Sequence, residues 1–87
     1  MAIRVGNLLW DAGFAPFIPH LSHFWHTITP KPYAMWLDYD NQFIPVCDAI
    51  FRLTGESPGA DKEVKYAESL NIPVYYDLYR LKDDFGL

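Results

Sequence analysis

The sequence predicts an α/β fold with a parallel β-sheet, and three observations lead to that class. Segments with helical periodicity alternate along the chain with short apolar runs typical of strands. Residues 49–53 form a mostly apolar run, short enough for a parallel strand covered on both faces. Residues 54–59 form a turn that leads directly into a segment with helical periodicity. The 87 residues suffice for one small domain, residues 1–87.

The N-terminal half is expected to contain two helices separated by a strand and a loop. Gly13 is placed to end the first helix, and Pro45 marks the end of the second. Pro16 is awkward in a central strand and therefore indicates an edge strand. The predicted elements are, in order, a helix over residues 2–12, a short strand over 14–19, a long loop over 20–32 and a helix over 33–46.

The C-terminal half continues the alternation. Ser57 is suited to cap a helix and Pro58 to occupy its first position. The whole pattern predicts a small three-layer domain, Rossmann-like or flavodoxin-like, with a parallel sheet. Such a domain normally opens with a strand, whereas this chain opens in a helix, so we expect its N-terminal strand to be missing. The predicted elements here are a strand over residues 49–53, a helix over 59–70, a strand over 72–76 and a short helix or extended tail over 77–87.

Composition narrows the class of protein. A content of 51% hydrophobic and 17% aromatic residues excludes a disordered chain and suggests apolar surface left for a partner. A net charge of −4 without a basic cluster argues against binding to a nucleic-acid polymer. The single Cys47 excludes an intrachain disulfide and fits a reducing compartment. With no membrane-length apolar run and no secretory signal, we expect a cytoplasmic protein that does not contact a membrane.

One carboxylate in the helix predicted over residues 59–70 lies on the wrong face. When its residues are placed around a helix at about 100° per residue, an apolar stripe and a solvated side separate. Glu63 falls within the apolar arc, where a carboxylate is costly unless a site uses it or a partner satisfies it. Glu63 is therefore a candidate functional residue. The alternative is that it lies at the margin of the apolar face and reaches solvent. The stripe consists of Ala60, Val64, Ala67 and Leu70, and the solvated side of Asp61, Lys62, Lys65 and Glu68.

Two familiar motifs are rejected. Residues 55–59 match the G-x-S-x-G turn of serine hydrolases, but Pro58 has no N–H to donate to an oxyanion. The three histidines also precede Ser57, against the order of that fold, so Ser57 is interpreted as a helix cap or a phosphate ligand. His20, His23 and His26 lack the spacing and companion ligands of a metal site, and we predict no metal. His20 alone, at a predicted strand end, could contact a substrate.

Several short motifs, taken in order and spacing, resemble those of the nucleoside 2-deoxyribosyltransferase superfamily, above all its small bacterial and phage-encoded branch. The resemblance spans nearly the whole chain, apart from the N-terminal strand that members carry. The motifs are residues 16–20, residues 36–40, residues 47–49, residues 55–60 followed by Glu63 and Ala67, and residues 72–74.

The resemblance implies cleavage or transfer of an N-glycosidic bond of a nucleoside or nucleotide, without a cofactor. Glu63 corresponds to the nucleophile, and Asp40 and Asp48 correspond to acidic residues that protonate the base or hold the sugar. The positions that correspond to sugar or phosphate ligands are Ser57, Gly59 and Ala60. Trp36 is a candidate for stacking on the base.

Two further readings of the sequence stay open. One is a non-catalytic nucleotide-binding domain on the same scaffold, and the other is a structural or interaction module. An ionised Glu63 in an open cleft would favour the enzyme, whereas a Glu63 paired with Arg52 would favour the interaction module. Tyr75, Tyr76 and Tyr79 fit an oligomer interface as well as a core, and we expect a homo-oligomer.

Overall fold

The computed structural model describes residues 2–87, which form five α-helices and a two-stranded sheet. Two short 3₁₀ helices lie at Pro19–Leu21 and Ile44–Val46. The elements are α1 (Ala2–Asp11), α2 (Ser22–Ile28), α3 (Tyr33–Phe43), β1 (Ile50–Phe51), α4 (Pro58–Ser69), β2 (Val74–Tyr75) and α5 (Leu78–Asp84).

The sheet consists of two parallel strands joined by α4. Ile50 pairs with Val74, and Phe51 pairs with Tyr75. The backbone N–H of Ile50 donates to Pro73 O at 2.9 Å, and that of Arg52 donates to Tyr75 O at 2.8 Å. Parallel strands need a crossover between them, and α4 supplies it.

The prediction of a three-layer Rossmann-like or flavodoxin-like α/β domain is wrong. Residues 2–87 are 62% helix and 5% strand, with only the two-stranded sheet. Residues 14–19 do not form the predicted strand. Pro16 and Pro19 have no N–H for a strand ladder, and the N–H of Phe14 donates back to Leu9 O of α1 at 3.0 Å. Without further strands there is no central layer for helices to cover on both faces.

The loop predicted over residues 20–32 is also wrong, because α2 occupies most of it. The four apolar side chains between residues 21 and 28 recur at helical spacing, and this periodicity outweighs the turn-forming residues around them. The helices predicted over residues 2–12, 33–46 and 59–70 are present, the second of them ending as a 3₁₀ helix, and of the two alternatives for residues 77–87 the helix is confirmed. Gly13, at φ 103°, follows the end of α1, and Pro45 lies in the 3₁₀ helix that ends α3.

The buried hydrophobic core is small. Among residues 2–87, the hydrophobic residues that are buried are Ile44, Ala67 and Leu81. A larger cluster of half-exposed aromatic rings joins α2 and α3 to the segment before them. Phe17 stacks on Phe43, with ring centroids 4.4 Å apart, and Tyr39 stacks on Phe43 at 5.1 Å. This aromatic cluster and the packing of α3 on α4 hold the site described below.

None of the helices within residues 2–87 combines the length and the apolar character needed to cross a lipid bilayer.

Candidate functional site

Helices α3 and α4 bring two carboxyl groups together. Asp40 lies near the end of α3 and is 7% exposed, and Glu63 lies in the second turn of α4 and is half-buried. Each of the two carboxyl groups perturbs the pKa of the other. Two carboxyl groups can form a hydrogen bond only when one of them carries a proton. The Asp40–Glu63 pair, here called the proton-sharing site, can therefore hold one proton between two packed helices.

Burial and mutual repulsion control the charge of this pair. The pKa of Glu63 is raised to about 7, first by burial, then by the charge of Asp40 and the hydrogen bond to it. Burial also raises the pKa of Asp40, while the hydrogen bond from Glu63 acts in the opposite direction. Glu63 is thus the donor in the resting pair and Asp40 the acceptor. At neutral pH the proton is present in a large fraction of molecules.

One oxygen of Asp40 stands out. The buried Oδ1 of Asp40 has no hydrogen-bond partner within residues 2–87. A buried polar atom without a partner costs about 1–3 kcal/mol. An unpartnered buried polar atom is a frequent feature of functional sites.

Asp40 also lines a groove of about 260 Å³, here called the Asp40 groove. Its walls come from the segment before α2, from α2 itself and from α3, and they are mostly apolar or aromatic. Trp25 meets Tyr39 edge to face, with ring centroids 5.6 Å apart, and so closes one side. The lining residues are Pro16, Phe17, Ile18, Pro19, Leu21, Ser22, Trp25, Tyr39 and Asp40. A groove with aromatic walls and one carboxyl group suits a flat, partly polar ligand.

The N-terminus of α4 lies next to the same face of α3. A Cβ atom on Gly59 would lie 2.6 Å from Tyr33 Oη, so the tyrosine hydroxyl rests against the backbone there. Tyr33 and Asp40 are two turns apart on α3, and Gly59 and Glu63 are one turn apart on α4. The two helices thus run side by side with Tyr33 near Gly59 and Asp40 near Glu63. The spacing of seven residues between Tyr33 and Asp40 places both on one helix face.

The serine before α4 acts as a helix cap. Ser57 Oγ accepts the backbone N–H of Ala60 at 3.2 Å, as the sequence predicted. Gly59 and Ala60 are half-buried in the first turn. A ligand that used the Ser57 hydroxyl would have to compete with this cap.

Trp36 and His20 do not line the Asp40 groove. The indole N–H of Trp36 donates to Nδ1 of His26 at 2.9 Å, and the backbone N–H of Lys31 donates to the same atom at 3.1 Å. His20 is exposed on the 3₁₀ helix before α2, with its ring 5.7 Å from that of His23. Sequence reasoning missed the structural role of His26, which ties α2 to α3.

Asp48 does not join the Asp40–Glu63 pair. It is exposed in the bend between the second 3₁₀ helix and β1. Its charge adds to burial in raising the pKa of the neighbouring Cys47 thiol, and it contributes to neither shift in the pair. The proton-sharing site therefore contains two of the three predicted acidic residues.

Arg52 is engaged elsewhere. Its guanidinium forms an ion pair with Asp61 at 3.1 Å and donates to the carbonyl oxygens of Leu53 and Gly55. Glu63 is therefore not the partner of Arg52. Within residues 2–87, no three His, Cys, Asp or Glu side chains converge as a metal site would require.

Comparison with known proteins finds no family model, no curated protein and no solved structure that matches this chain.

Proposed function

We propose that the chain binds a nucleoside or nucleotide with its base in the Asp40 groove and cleaves or transfers its N-glycosidic bond. The nucleophile is Glu63, which lies beside Asp40 but outside the lining of that groove. The observation that carries the proposal is the packing of α3 on α4, which brings the buried Asp40 beside the half-buried Glu63, with the pKa of both carboxyl groups raised. Glycosidic chemistry uses two carboxyl groups in different protonation states, one as nucleophile and one as acid. The aromatic walls of the groove suit a flat base, and the nucleoside itself comes from the motif resemblance of residues 36–40 and 55–60.

The two carboxyl groups of the pair supply the nucleophile and every proton transfer that the reaction needs. The ionised Glu63 carboxylate forms a bond to the anomeric carbon while the bond from that carbon to the base nitrogen breaks, and Asp40 gives its proton to the departing base. Water or a second base then attacks the anomeric carbon and displaces Glu63. Asp40 takes the proton released by this acceptor, so the pair returns to its singly protonated state. Both roles belong to side chains, and no cofactor is required.

The resting protonation state predicts that the reaction requires a proton transfer within the pair. The proton favours Glu63, so it must cross the hydrogen bond to Asp40 before Glu63 can attack. A ligand that contacts the free Oδ1 of Asp40 or excludes water from Glu63 would change this balance. Base release should therefore need one proton on the pair and decline once the pair has lost it, at a pH above about 7.

The test is chromatographic detection of free base after incubation with deoxynucleosides, ribonucleosides and their 5′-monophosphates. We expect release from at least one class of compound, and loss of release in Glu63→Gln and in Asp40→Asn. Glu68→Gln, an exposed glutamate on the same helix, and Asp48→Asn, outside the pair, should retain release.

Absence of base release from every compound by the folded wild-type chain would contradict the proposed reaction. Release that survives in Glu63→Gln would contradict the role of the nucleophile. Loss of release in Asp48→Asn, with release retained in Asp40→Asn, would move the acid from the pair to Asp48.

A non-catalytic binding domain is the second candidate, and the resting proton on Glu63 favours it. A protonated Glu63 is a poor nucleophile but a good hydrogen-bond donor to a ligand. Calorimetric binding of a nucleotide to the wild-type chain without base release would select this function. Either role fits the reducing environment of the cytoplasm, in which Cys47 stays a free thiol.

A further inference from the structure

An apolar stripe on α2 and the residue before it lacks a partner. Leu21, Phe24, Trp25 and Ile28 follow the spacing of one helix face, and we call them the α2 stripe. Phe24 is 74% exposed and Ile28 is 68% exposed, and the other two are also exposed. An amphipathic helix normally turns such a face toward a core. Here Trp25 reaches the aromatic cluster through Trp36 and Tyr39, while the rest of the stripe faces outward.

The stripe lies in an uncharged part of the sequence. Residues 12–30 contain no Asp, Glu, Lys or Arg, although the chain as a whole carries a net charge of −4. Two copies of a chain with this net charge repel each other wherever their acidic surfaces meet. The α2 stripe is a face on which they can meet without opposing carboxylates.

The whole molecule exposes more surface than a compact monomer of its mass. The accessible surface is 6446 Å², whereas a folded monomer of this mass exposes about 5,300 Å². The excess is about 1,150 Å², and a standard interface removes about 800 Å² from each partner. The surplus is thus large enough for one dimer interface.

We infer that a second copy of this chain docks on the α2 stripe, so that two α2 helices pack against each other about a twofold axis. In such an interface the same patch serves both subunits, which requires it to be self-complementary. An apolar, uncharged stripe meets that requirement. The inference concerns a different element from Tyr76 and Tyr79. The stripe shares Leu21 and Trp25 with the lining of the Asp40 groove, but the oligomeric state can be measured whether or not the proposed function holds.

Light scattering after size-exclusion chromatography, from micromolar to millimolar concentrations, tests the inference. The wild-type chain should have twice the chain mass of 10.1 kDa. Phe24→Glu and Ile28→Glu should each have the monomer mass, because the charge would be buried in the contact. The control is Tyr79→Glu on α5, where the tyrosine is 78% exposed, and it should remain a dimer.

Circular dichroism shows whether each variant retains its helices, and both substituted residues are exposed enough for the monomer to fold. A wild-type chain with the monomer mass throughout this range overturns the inference, and so does binding of that monomer to lipid vesicles instead. Folded stripe variants that remain dimeric overturn it as well. Loss of the dimer in Tyr79→Glu with retention in Phe24→Glu would assign the interface to the tyrosine face.

Discussion

Glu63 makes the stability of the fold depend on pH. Its pKa rises from 4.5 in the unfolded chain to about 7 in the folded one, so the folded state binds more protons between these values. The contribution of Glu63 to the free energy of unfolding is complete below about pH 4.5. It is lost as pH rises through about 7. The raised pKa of Asp40 acts in the same direction.

Glu63→Gln should remove this dependence. The glutamine amide can donate to Asp40 at every pH, so the variant should be more stable than the wild type at pH 8 by about 1–2 kcal/mol, a figure reduced for the partial solvent exposure of Glu63. Urea titrations at pH 5 and pH 8 measure the difference. Glu68→Gln is the control and should leave the free energy of unfolding unchanged at both pH values. Equal stabilities of Glu63→Gln and wild type at pH 8 would contradict the shared proton.

His26 is the second residue whose role can be tested alone. Its Nδ1 accepts two N–H groups, one from the Lys31 backbone and one from the Trp36 indole. Replacement by Phe keeps a ring but leaves both donors without an acceptor, and should lower the free energy of unfolding by about 1–2 kcal/mol.

The comparison variants for His26 separate hydrogen bonding from packing. His26→Asn offers an oxygen close to the position of Nδ1 and should recover part of the loss. His23→Phe, at an exposed histidine whose ring has no hydrogen bond in the described part of the chain, should cost little. Thermal unfolding of these three variants and the wild type measures the differences in stability. An equal loss of stability in His23→Phe and His26→Phe would contradict a special role of His26.

At the scale of elements, the start of α4 depends on its cap. Ser57→Ala removes the acceptor of the Ala60 N–H and should cost about 1 kcal/mol. Ser69→Ala is a useful control on the same helix, since the exposed Ser69 hydroxyl only donates to the Tyr66 carbonyl at 2.6 Å. Urea unfolding should show the larger loss for Ser57→Ala. The reverse order would mean that the C-terminal turn limits the stability of α4.

The sequence was sufficient to predict α4 but not the sheet, because the signals of a helix are local and those of a strand are not. The signals of α4 are local: Ser57 accepts from its own first turn, Pro58 presets the backbone, and Asp61, Lys62, Lys65 and Glu68 are all exposed as predicted. A strand exists only beside another strand. The apolar character of residues 14–19 could not reveal that no neighbour was available to pair with them.

The residues of the candidate site were likewise predictable from the sequence only in part. The position of Glu63 on the apolar arc of α4 follows from periodicity alone. Its contact with Asp40 depends on how two helices pack, and the sequence suggested Asp40 only through the motif resemblance. Asp48 was expected at the site for the same reason, but the bend before β1 leaves it exposed.

At the scale of the whole molecule, few side chains hold the core. Leu81 is 3% exposed, and Leu81→Ala should cost about 2–4 kcal/mol. A domain of this size has only about 4–13 kcal/mol in total. Leu70→Ala, at a 40% exposed leucine, should cost clearly less. Denaturation midpoints measure both, and equal losses would mean that the hydrophobic core lies elsewhere.

The two-stranded sheet has a consequence for isotope labelling in heavy water. Each strand has a neighbour on one side only, so its amide groups point alternately toward a partner and toward the outside. The amide hydrogens of Ile50 and Arg52, which donate to Pro73 and Tyr75, should exchange slowly. The amide hydrogen of Phe51, between them, points away from β2 and should exchange quickly. Deuterium uptake along β1 would then alternate from one residue to the next, as a sheet without a central strand requires.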